Sequence, residues 1–127
     1  MRIFLSVTAL VLLLLSCQKE QTAQNDSMTG KWKLKEYYID PGDGSGKWQA
    51  AADGNSYIEF KDDGSVISTP PFFTEYTRFE VLNDSVVRFT DNANLYPMNV
   101  RYEFTPTQLT LYPPCIEGCG FRYMATD

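Results

Sequence analysis

The stretch "SYIEFKDDGSVIS" (residues 56–68) contains two short runs of β-branched and aromatic residues joined by an Asp-Gly step. Glycine accepts the positive φ that tight hairpin turns require, so Asp63-Gly64 predicts a turn between two antiparallel strands. In the first run, Ile58 and Phe60 are two positions apart and therefore point to the same face of the strand. The stretch thus predicts a β-hairpin with one buried face.

The rest of the chain repeats this organisation. No segment shows a sustained 3.6-residue period, and "VLNDSV" and "FTPTQL" supply two further tight connections. The pattern predicts an all-β, antiparallel meander of about eight strands, at roughly residues 31–39, 55–61, 65–69, 76–82, 85–90, 99–105, 108–112 and 120–125. Such a meander forms either a two-sheet sandwich or a small up-and-down barrel, and closure into a barrel removes unpaired sheet edges.

The N-terminal segment has the features of a secretory signal. Arg2 precedes an apolar run that ends at Leu15, and no acidic residue occurs before Glu20. The run is interrupted by Ser6 and Thr8 and is too short for a membrane span, which takes about 20 apolar residues. We therefore expect a cleaved signal peptide.

The apolar run ends in Leu14-Leu15-Ser16-Cys17, which resembles the lipobox of bacterial lipoproteins. The resemblance implies cleavage before Cys17 and attachment of two or three acyl chains, enough for firm anchoring. The alternative is an ordinary signal peptide that leaves Cys17 as a free or paired thiol. Gln18-Lys19-Glu20 resembles the signal that sends some lipoproteins of Bacteroidota-type bacteria to the outer face of the outer membrane. We expect a lipid-anchored protein of the bacterial cell envelope, in the outer membrane, on its surface or periplasmic face.

Composition and these motifs divide the chain into a signal peptide (residues 1–16), a lipidated cysteine with a flexible tether (17–28) and one small folded domain (29–127). The chain carries 11 Lys and Arg against 16 Asp and Glu, a net charge of -5. Binding to nucleic acid needs a concentrated basic patch, so this class of partner is not expected. Membrane association should depend on the lipid anchor.

Two further cysteines, Cys115 and Cys119, lie in "PPCIEGCG". An even pair in an exported chain, held in a turn by Pro114 and Gly118, predicts a disulfide that fixes a local bend. A redox-active pair and a metal site are the alternatives. The chain has no histidine, so a four-ligand zinc site would need carboxylates from elsewhere. We expect neither a metal nor a cofactor.

"TGKWKL" (residues 29–34), with Gly30 and Trp32 at the start of the first strand, resembles the Gly-x-Trp signature of lipocalins and of the short lipocalin-like lipoproteins of Bacteroidota-type bacteria. Members of the family often place an arginine of the last strand against that tryptophan, and Arg122 in "GFRYMA" is the candidate. The resemblance covers about residues 29–127 and implies a lipocalin-like barrel. The chain departs from the family in its short length, in lacking a middle Thr-Asp-Tyr motif, and in having no helix after the last strand.

Little in the sequence indicates catalysis. Without histidine, serine and cysteine nucleophiles lose their usual base, and Asp62-Asp63 lies in a predicted turn. The stretch "DPGDGSGKW" (residues 40–48) has neither the phosphate-loop nor the calcium-loop spacing and is predicted to be a flexible loop at the barrel rim. We therefore expect a non-enzymatic protein.

Aromatic residues make up 14% of the chain and occur on the predicted first strand and in loops, where they can line the mouth of the barrel. We expect a small apolar or amphipathic ligand there, oriented by Glu36 or a tyrosine hydroxyl, although Glu36 can instead pair with an arginine. The loop "TPPFFTEY" either lines the mouth or folds inward and plugs the barrel, and Trp32 can equally be a core aromatic. The candidate ligand-contacting residues are Trp32, Glu36, Tyr38, Trp48, Phe72, Phe73 and Tyr76. The alternative function is a surface protein-interaction or inhibitor module with a filled interior.

Overall fold

The computed structural model describes residues 27–52, 54–93 and 96–126. The predicted signal peptide, the predicted lipidation site at Cys17 and all of the predicted tether before residue 27 lie outside the described residues. Within the described ranges, no helix is long and apolar enough to cross a membrane.

Nine antiparallel strands make up the described chain. They are β1 (Gly30–Ile39), β2 (Lys47–Ala50), β3 (Tyr57–Phe60), β4 (Val66–Ser68), β5 (Arg78–Val81), β6 (Val86–Thr90), β7 (Met98–Phe104), β8 (Gln108–Tyr112) and β9 (Cys119–Thr126). Eight of them follow the order β4-β3-β1-β9-β8-β7-β6-β5 in one sheet. A bridge between Ser65 and Arg78 and a 2.9 Å hydrogen bond from the Val66 amide to the Thr77 carbonyl bring the two ends of the sheet together. The fold is a nearly closed antiparallel barrel, which confirms the predicted fold class.

The hairpin from which the fold was predicted has the expected turn. Gly64 has a φ of 84°, and the Lys61 amide donates to the Ser65 carbonyl at 2.9 Å. The Asp63 carboxylate accepts hydrogen bonds from the Ser65 hydroxyl and, at 2.9 Å, from the Ser65 amide, and these two bonds lower the pKa of Asp63. The acid therefore stabilises the turn between β3 and β4.

The strand β2 was not predicted. It pairs with the second half of β1, from Glu36 opposite Ala50 to Ile39 opposite Lys47, whereas β3 pairs with the first half of β1. The two strands thus share one edge of β1. The prediction of a loop over residues 40–48 is wrong at its end, because Lys47 and Trp48 gain their strand conformation from pairing with β1.

A β-bulge in β1 decides which side chains face the interior. Leu34 pairs with Tyr123 and Glu36 with Arg122, so Lys35 is an extra residue in β1. Trp32 and Leu34 therefore face inward before the bulge, and Tyr37 does so after it. An uninterrupted two-residue period from Trp32 predicts that Glu36 and Tyr38 share its face; this prediction is wrong, because the bulge turns both of them outward.

Side chains fill the interior of the barrel. Alternate residues of six strands are fully or almost fully buried there, including Trp32, Ile58, Phe60, Val87, Phe89, Val100, Leu109 and Leu111. Met28, which the sequence assigned to the tether, is also buried, with 6% of its surface exposed. Its carbonyl accepts a 2.8 Å hydrogen bond from the indole Nε1 of Trp32. The folded domain therefore includes residue 28.

Candidate functional site

The predicted ligand-contacting residues do not form one site. Trp32 is completely buried, and its ring lies edge-on to Phe104 with a centroid separation of 5.9 Å. Its indole nitrogen is bonded to the Met28 carbonyl. Trp32 is thus a core residue of the described structure, and Gly30 beside it has a φ of 136°, in the region that favours glycine.

Arg122 lies on the outer face of the barrel. Its guanidinium carbon is 3.9 Å from the centre of the Trp48 ring, and it forms an ion pair with Glu36. The expectation that Arg122 packs against Trp32 is wrong, because Arg122 alternates with the inward-facing Phe121 and Tyr123. The ion pair also means that Glu36 orients an arginine of the chain itself.

The loop between β4 and β5 folds into one end of the barrel. Phe73 is buried, stacks on Phe89 at a centroid distance of 5.4 Å and meets Phe121 edge-on at 5.3 Å. Tyr76 packs on Phe89 at 5.7 Å, and its hydroxyl donates to the sulfur of Met98 at 3.5 Å. Phe73 and Tyr76 therefore plug the barrel, and we call residues 69–77 the cap.

Ring burial in the cap is accompanied by backbone strain. Phe73 has a φ of 62°, in the left-handed region that side chains other than glycine rarely adopt. Such a conformation persists only where its surroundings enforce it. The contacts of Phe73 with Phe89 and Phe121 provide that enforcement.

An apolar groove of about 540 Å³ lies between the cap and the second half of β1. We call it the mouth groove; it is lined by Leu34, Tyr37, Ile39, Ala51, Ala52, Ser56, Pro70, Pro71 and Phe72. Of the predicted residues, only Phe72 is among them. Phe72 stands against Phe121 at a centroid distance of 4.1 Å and against Tyr37 at 6.1 Å.

The mouth groove contains two hydroxyl groups and no charged side chain among the described residues that line it. The Tyr37 hydroxyl donates to Gln49 Oε1 at 3.2 Å, at an exposed position. The Ser56 hydroxyl donates to the Pro70 carbonyl at 3.0 Å and joins the cap to the start of β3. The groove therefore offers apolar contacts with one polar group at its rim.

A second groove of about 420 Å³ lies on the outer face, and Tyr38 and Trp48 line it. We call it the outer groove; its other residues are Arg101, Tyr112, Pro113, Gly118 and Cys119. The Cys115 and Cys119 sulfur atoms lie at bonding distance with Cα atoms 5.7 Å apart, so the predicted disulfide is present. It closes the loop that forms one wall of this groove.

The raised pKa values among the described residues belong to tyrosines. Burial raises the pKa of Tyr123 well above its ordinary value of 10.0, and burial also raises the pKa of Tyr76, Tyr102 and Tyr112. Over the described ranges, no three carboxylate or thiol side chains come together as a metal site would require. The tyrosines thus act as neutral, packed side chains.

Comparison of the chain with protein families, with curated proteins and with solved structures found no match.

Most residues that line the two grooves were not predicted from the sequence as site residues. Tyr37 was missed because it becomes an inward residue only through the bulge. Arg101 and Tyr112 alternate with the buried Val100 and Leu111, so their outward direction follows from the two-residue period of a strand.

Proposed function

We propose that this protein is a lipid-anchored, lipocalin-like barrel that binds a small apolar or amphipathic molecule in the mouth groove and does not catalyse a reaction. The observation that carries the proposal is the mouth groove itself. Its volume of about 540 Å³ lies in the range of small-molecule sites. The interior below is filled by side chains, so the ligand lies at the end of the barrel.

The lining of the mouth groove favours an apolar ligand. Ile39, at the end of β1, leaves 46% of its surface exposed to solvent. Covering such surface contributes about 25 cal/mol per Å² of apolar area. The ring of Phe72 and the two cap prolines extend this apolar surface to the other side of the groove. The exposed Tyr37 hydroxyl can exchange its bond to Gln49 for one to a polar group of an amphipathic ligand.

The start of the described domain and the mouth groove lie at opposite ends of the barrel. Met28 and Gly30 are at the start of β1, and Ile39 is at its end. Ten residues of extended strand separate the two ends by about 30 Å. In the proposed arrangement, the tether from lipidated Cys17 joins the chain at the end of the barrel that is farther from the mouth groove.

Filling the mouth groove tests the proposal. Ala52 lines it and is exposed, so the variant Ala52→Trp fills the groove without removing a core contact. The matched control is Ala93→Trp, at an exposed loop alanine that does not line the groove. The purified full chain is titrated with a fluorescent fatty acid, and detergent alone serves as the blank. We expect saturable binding by the wild type and by Ala93→Trp, and binding at least about tenfold weaker by Ala52→Trp. Absence of saturable binding by the wild type, or equal binding by both variants, contradicts the proposal.

A second candidate function is a protein-interaction module with a filled interior. Two exposed apolar side chains favour it: Ile116 is 99% exposed in the disulfide-closed loop, and Tyr96 is 75% exposed. Contiguous exposed apolar surface is typical of contact sites, and in this function Ile116 contributes to such a surface. A photo-crosslinking residue at the exposed neighbouring position 117 tests it in producing cells, since a single crosslinked protein that is lost when Ile116→Ser is added supports this function. Unchanged crosslinking in Ile116→Ser argues against it.

A further inference from the structure

Aromatic and charged side chains form a row across the outer face of five neighbouring strands. Arg101 of β7 is opposite Tyr112 of β8, while Tyr38 of β1 is opposite both Gly120 of β9 and Trp48 of β2. Alternation points these side chains away from the interior. The row places three aromatic rings and one cation along the outer groove.

Gly120 lies beneath the middle of this row. A Cβ atom at this position would be 3.0 Å from Cη2 of Trp48 and 3.3 Å from the Tyr112 ring. Any larger residue would push the two rings apart, so glycine is what allows them to converge from β2 and β8. Gly120 therefore forms the floor of the outer groove.

Arg122 and Glu36 hold the indole of Trp48 from one side. The guanidinium packs on the ring at 3.9 Å, and its charge is balanced by the ion pair with Glu36. The Tyr38 and Trp48 rings are 5.8 Å apart and tilted by 53°, so neither covers the other's face. Trp48 is thus positioned before a ligand arrives and remains half-exposed.

Arg101 differs from Arg122 in its surroundings. It is exposed, and its guanidinium carbon lies 4.3 Å from the centre of the Tyr112 ring. Among the described residues, no carboxylate forms an ion pair with it, and Glu103 instead accepts from the Tyr112 hydroxyl at 3.4 Å. Arg101 therefore keeps its donors available at the edge of the outer groove, where they suit a planar anion.

A disulfide and a backbone hydrogen bond hold the loop that forms one wall of the outer groove. Pro113, Gly118 and Cys119 form this wall, and the disulfide from Cys115 closes the loop in which they lie. The Asp40 amide donates to the Gly118 carbonyl at 3.5 Å and connects this loop to the end of β1. A fixed wall reduces the ordering cost that weakens binding at mobile loops.

We propose that the outer groove is a second binding site, for a ring compound that carries a carboxylate. The ring packs against those parts of Trp48 and Tyr112 that the two guanidinium groups leave exposed, and the carboxylate accepts hydrogen bonds from the Arg101 guanidinium. Two kinds of compound share this chemistry: aromatic acids, which stack ring on ring, and sugar acids, whose apolar C–H face packs on an aromatic ring. The site is independent of the mouth groove and does not rest on the function proposed above.

Nuclear magnetic resonance of the full chain tests the site, because the sequence has two tryptophans. Their indole N–H signals report separately on the buried Trp32 and on Trp48. The protein is titrated with 1-naphthoate and with galacturonate, and with the uncharged 1-naphthol and methyl galactoside as counterparts. We expect one of the two acids to shift the Trp48 signal saturably while the Trp32 signal stays unchanged, and its neutral counterpart to bind about tenfold more weakly or less. The acid that binds shows whether the carboxylate belongs to an aromatic acid or to a sugar acid.

Three variants distinguish a specific binding site from general electrostatic attraction. Arg101→Gln is expected to weaken binding of that acid about tenfold, whereas Arg88→Gln removes the same charge from the outer face of β6 and should leave binding unchanged. Gly120→Ala should also weaken binding, since its methyl group displaces Trp48 and Tyr112. Circular dichroism confirms that each variant is folded. The inference is overturned if neither acid shifts Trp48 saturably, if Arg101→Gln and Arg88→Gln behave alike, or if folded Gly120→Ala binds like the wild type.

Discussion

The guanidinium of Arg122 packs on the ring of Trp48 at 3.9 Å, on the outer face of the barrel. The two residues come from β9 and β2, which are both paired with β1 but not with each other. Their contact therefore crosses β1 over the position of Glu36, which completes the group through its ion pair with Arg122. This group adds a side-chain contact to the backbone pairing that joins β2 to β1.

We predict a measurable coupling between Arg122 and Trp48. A cation over a partly buried indole contributes about 0.5–1 kcal/mol. The free energy of unfolding in urea is measured for Arg122→Met, Trp48→Leu and the double variant, and the double variant should be that much more stable than the sum of single effects predicts. Simple additivity of the two effects would show that the contact contributes nothing to stability.

Removal of the disulfide should destabilise the barrel modestly. Cys115 and Cys119 are four residues apart in sequence, so their bond closes a short loop. Replacing both with serine is expected to lower the free energy of unfolding by about 2 kcal/mol in the chain-entropy account. The wild type under reducing conditions serves as the control and should lose a similar amount. Equal stability of the wild type and the double variant under oxidising conditions contradicts this expectation.

Stability should fall at alkaline pH because of Tyr123. Its burial raises its pKa in the folded state above the ordinary value of 10.0. Above that pH the unfolded chain releases the phenolic proton and the folded chain retains it, so the unfolded state is favoured by up to about 1.4 kcal/mol per pH unit. Urea unfolding between pH 8 and about pH 11 measures the slope. Tyr123→Phe should reduce it, whereas Tyr96→Phe, at a 75% exposed position, should not. A slope that Tyr123→Phe leaves intact would assign the effect to other tyrosines.

Cys17 should carry the lipid in the protein isolated from cells. Mass spectrometry of the membrane fraction is expected to find an acylated peptide that begins at Cys17, because the preceding residues resemble a lipobox. Cys17→Ala removes the thiol to which the lipid is attached, so this variant should lack the modification. A secreted protein with an unmodified Cys17 is the result that rules out the anchor.

Local alternation predicted much of the barrel. Ile58 and Phe60, and likewise Leu109 and Leu111, are buried as pairs two residues apart, as expected for strands with one face on the core. The Asp63-Gly64 step formed the expected turn because its geometry depends on the residues of the turn itself. Features determined within a few residues of the chain were therefore accessible from sequence.

Features that depend on cross-strand partners could not be predicted from the sequence. The extra residue Lys35 exists only relative to β9, so an uninterrupted two-residue period placed Glu36 and Tyr38 on the wrong face. The strand containing Trp48 forms because an edge of β1 is unoccupied beyond β3. Because of these two features, the aromatic residues that were expected to line one mouth lie in three places: a filled core, the mouth groove and the outer groove.

Isoleucine methyl signals offer the most direct test of ligand binding in the mouth groove. Ile39 lines the groove, Ile67 is similarly exposed on β4 away from it, and Ile116 is exposed in the disulfide-closed loop. The full chain, with isoleucine Cδ1 labelled with carbon-13, is titrated with a fatty acid and its methyl spectrum is recorded. We predict that the Ile39 signal shifts saturably, while those of Ile67 and Ile116 stay in place. An unchanged Ile39 signal, or a shift of Ile116 in its stead, would contradict binding in the mouth groove.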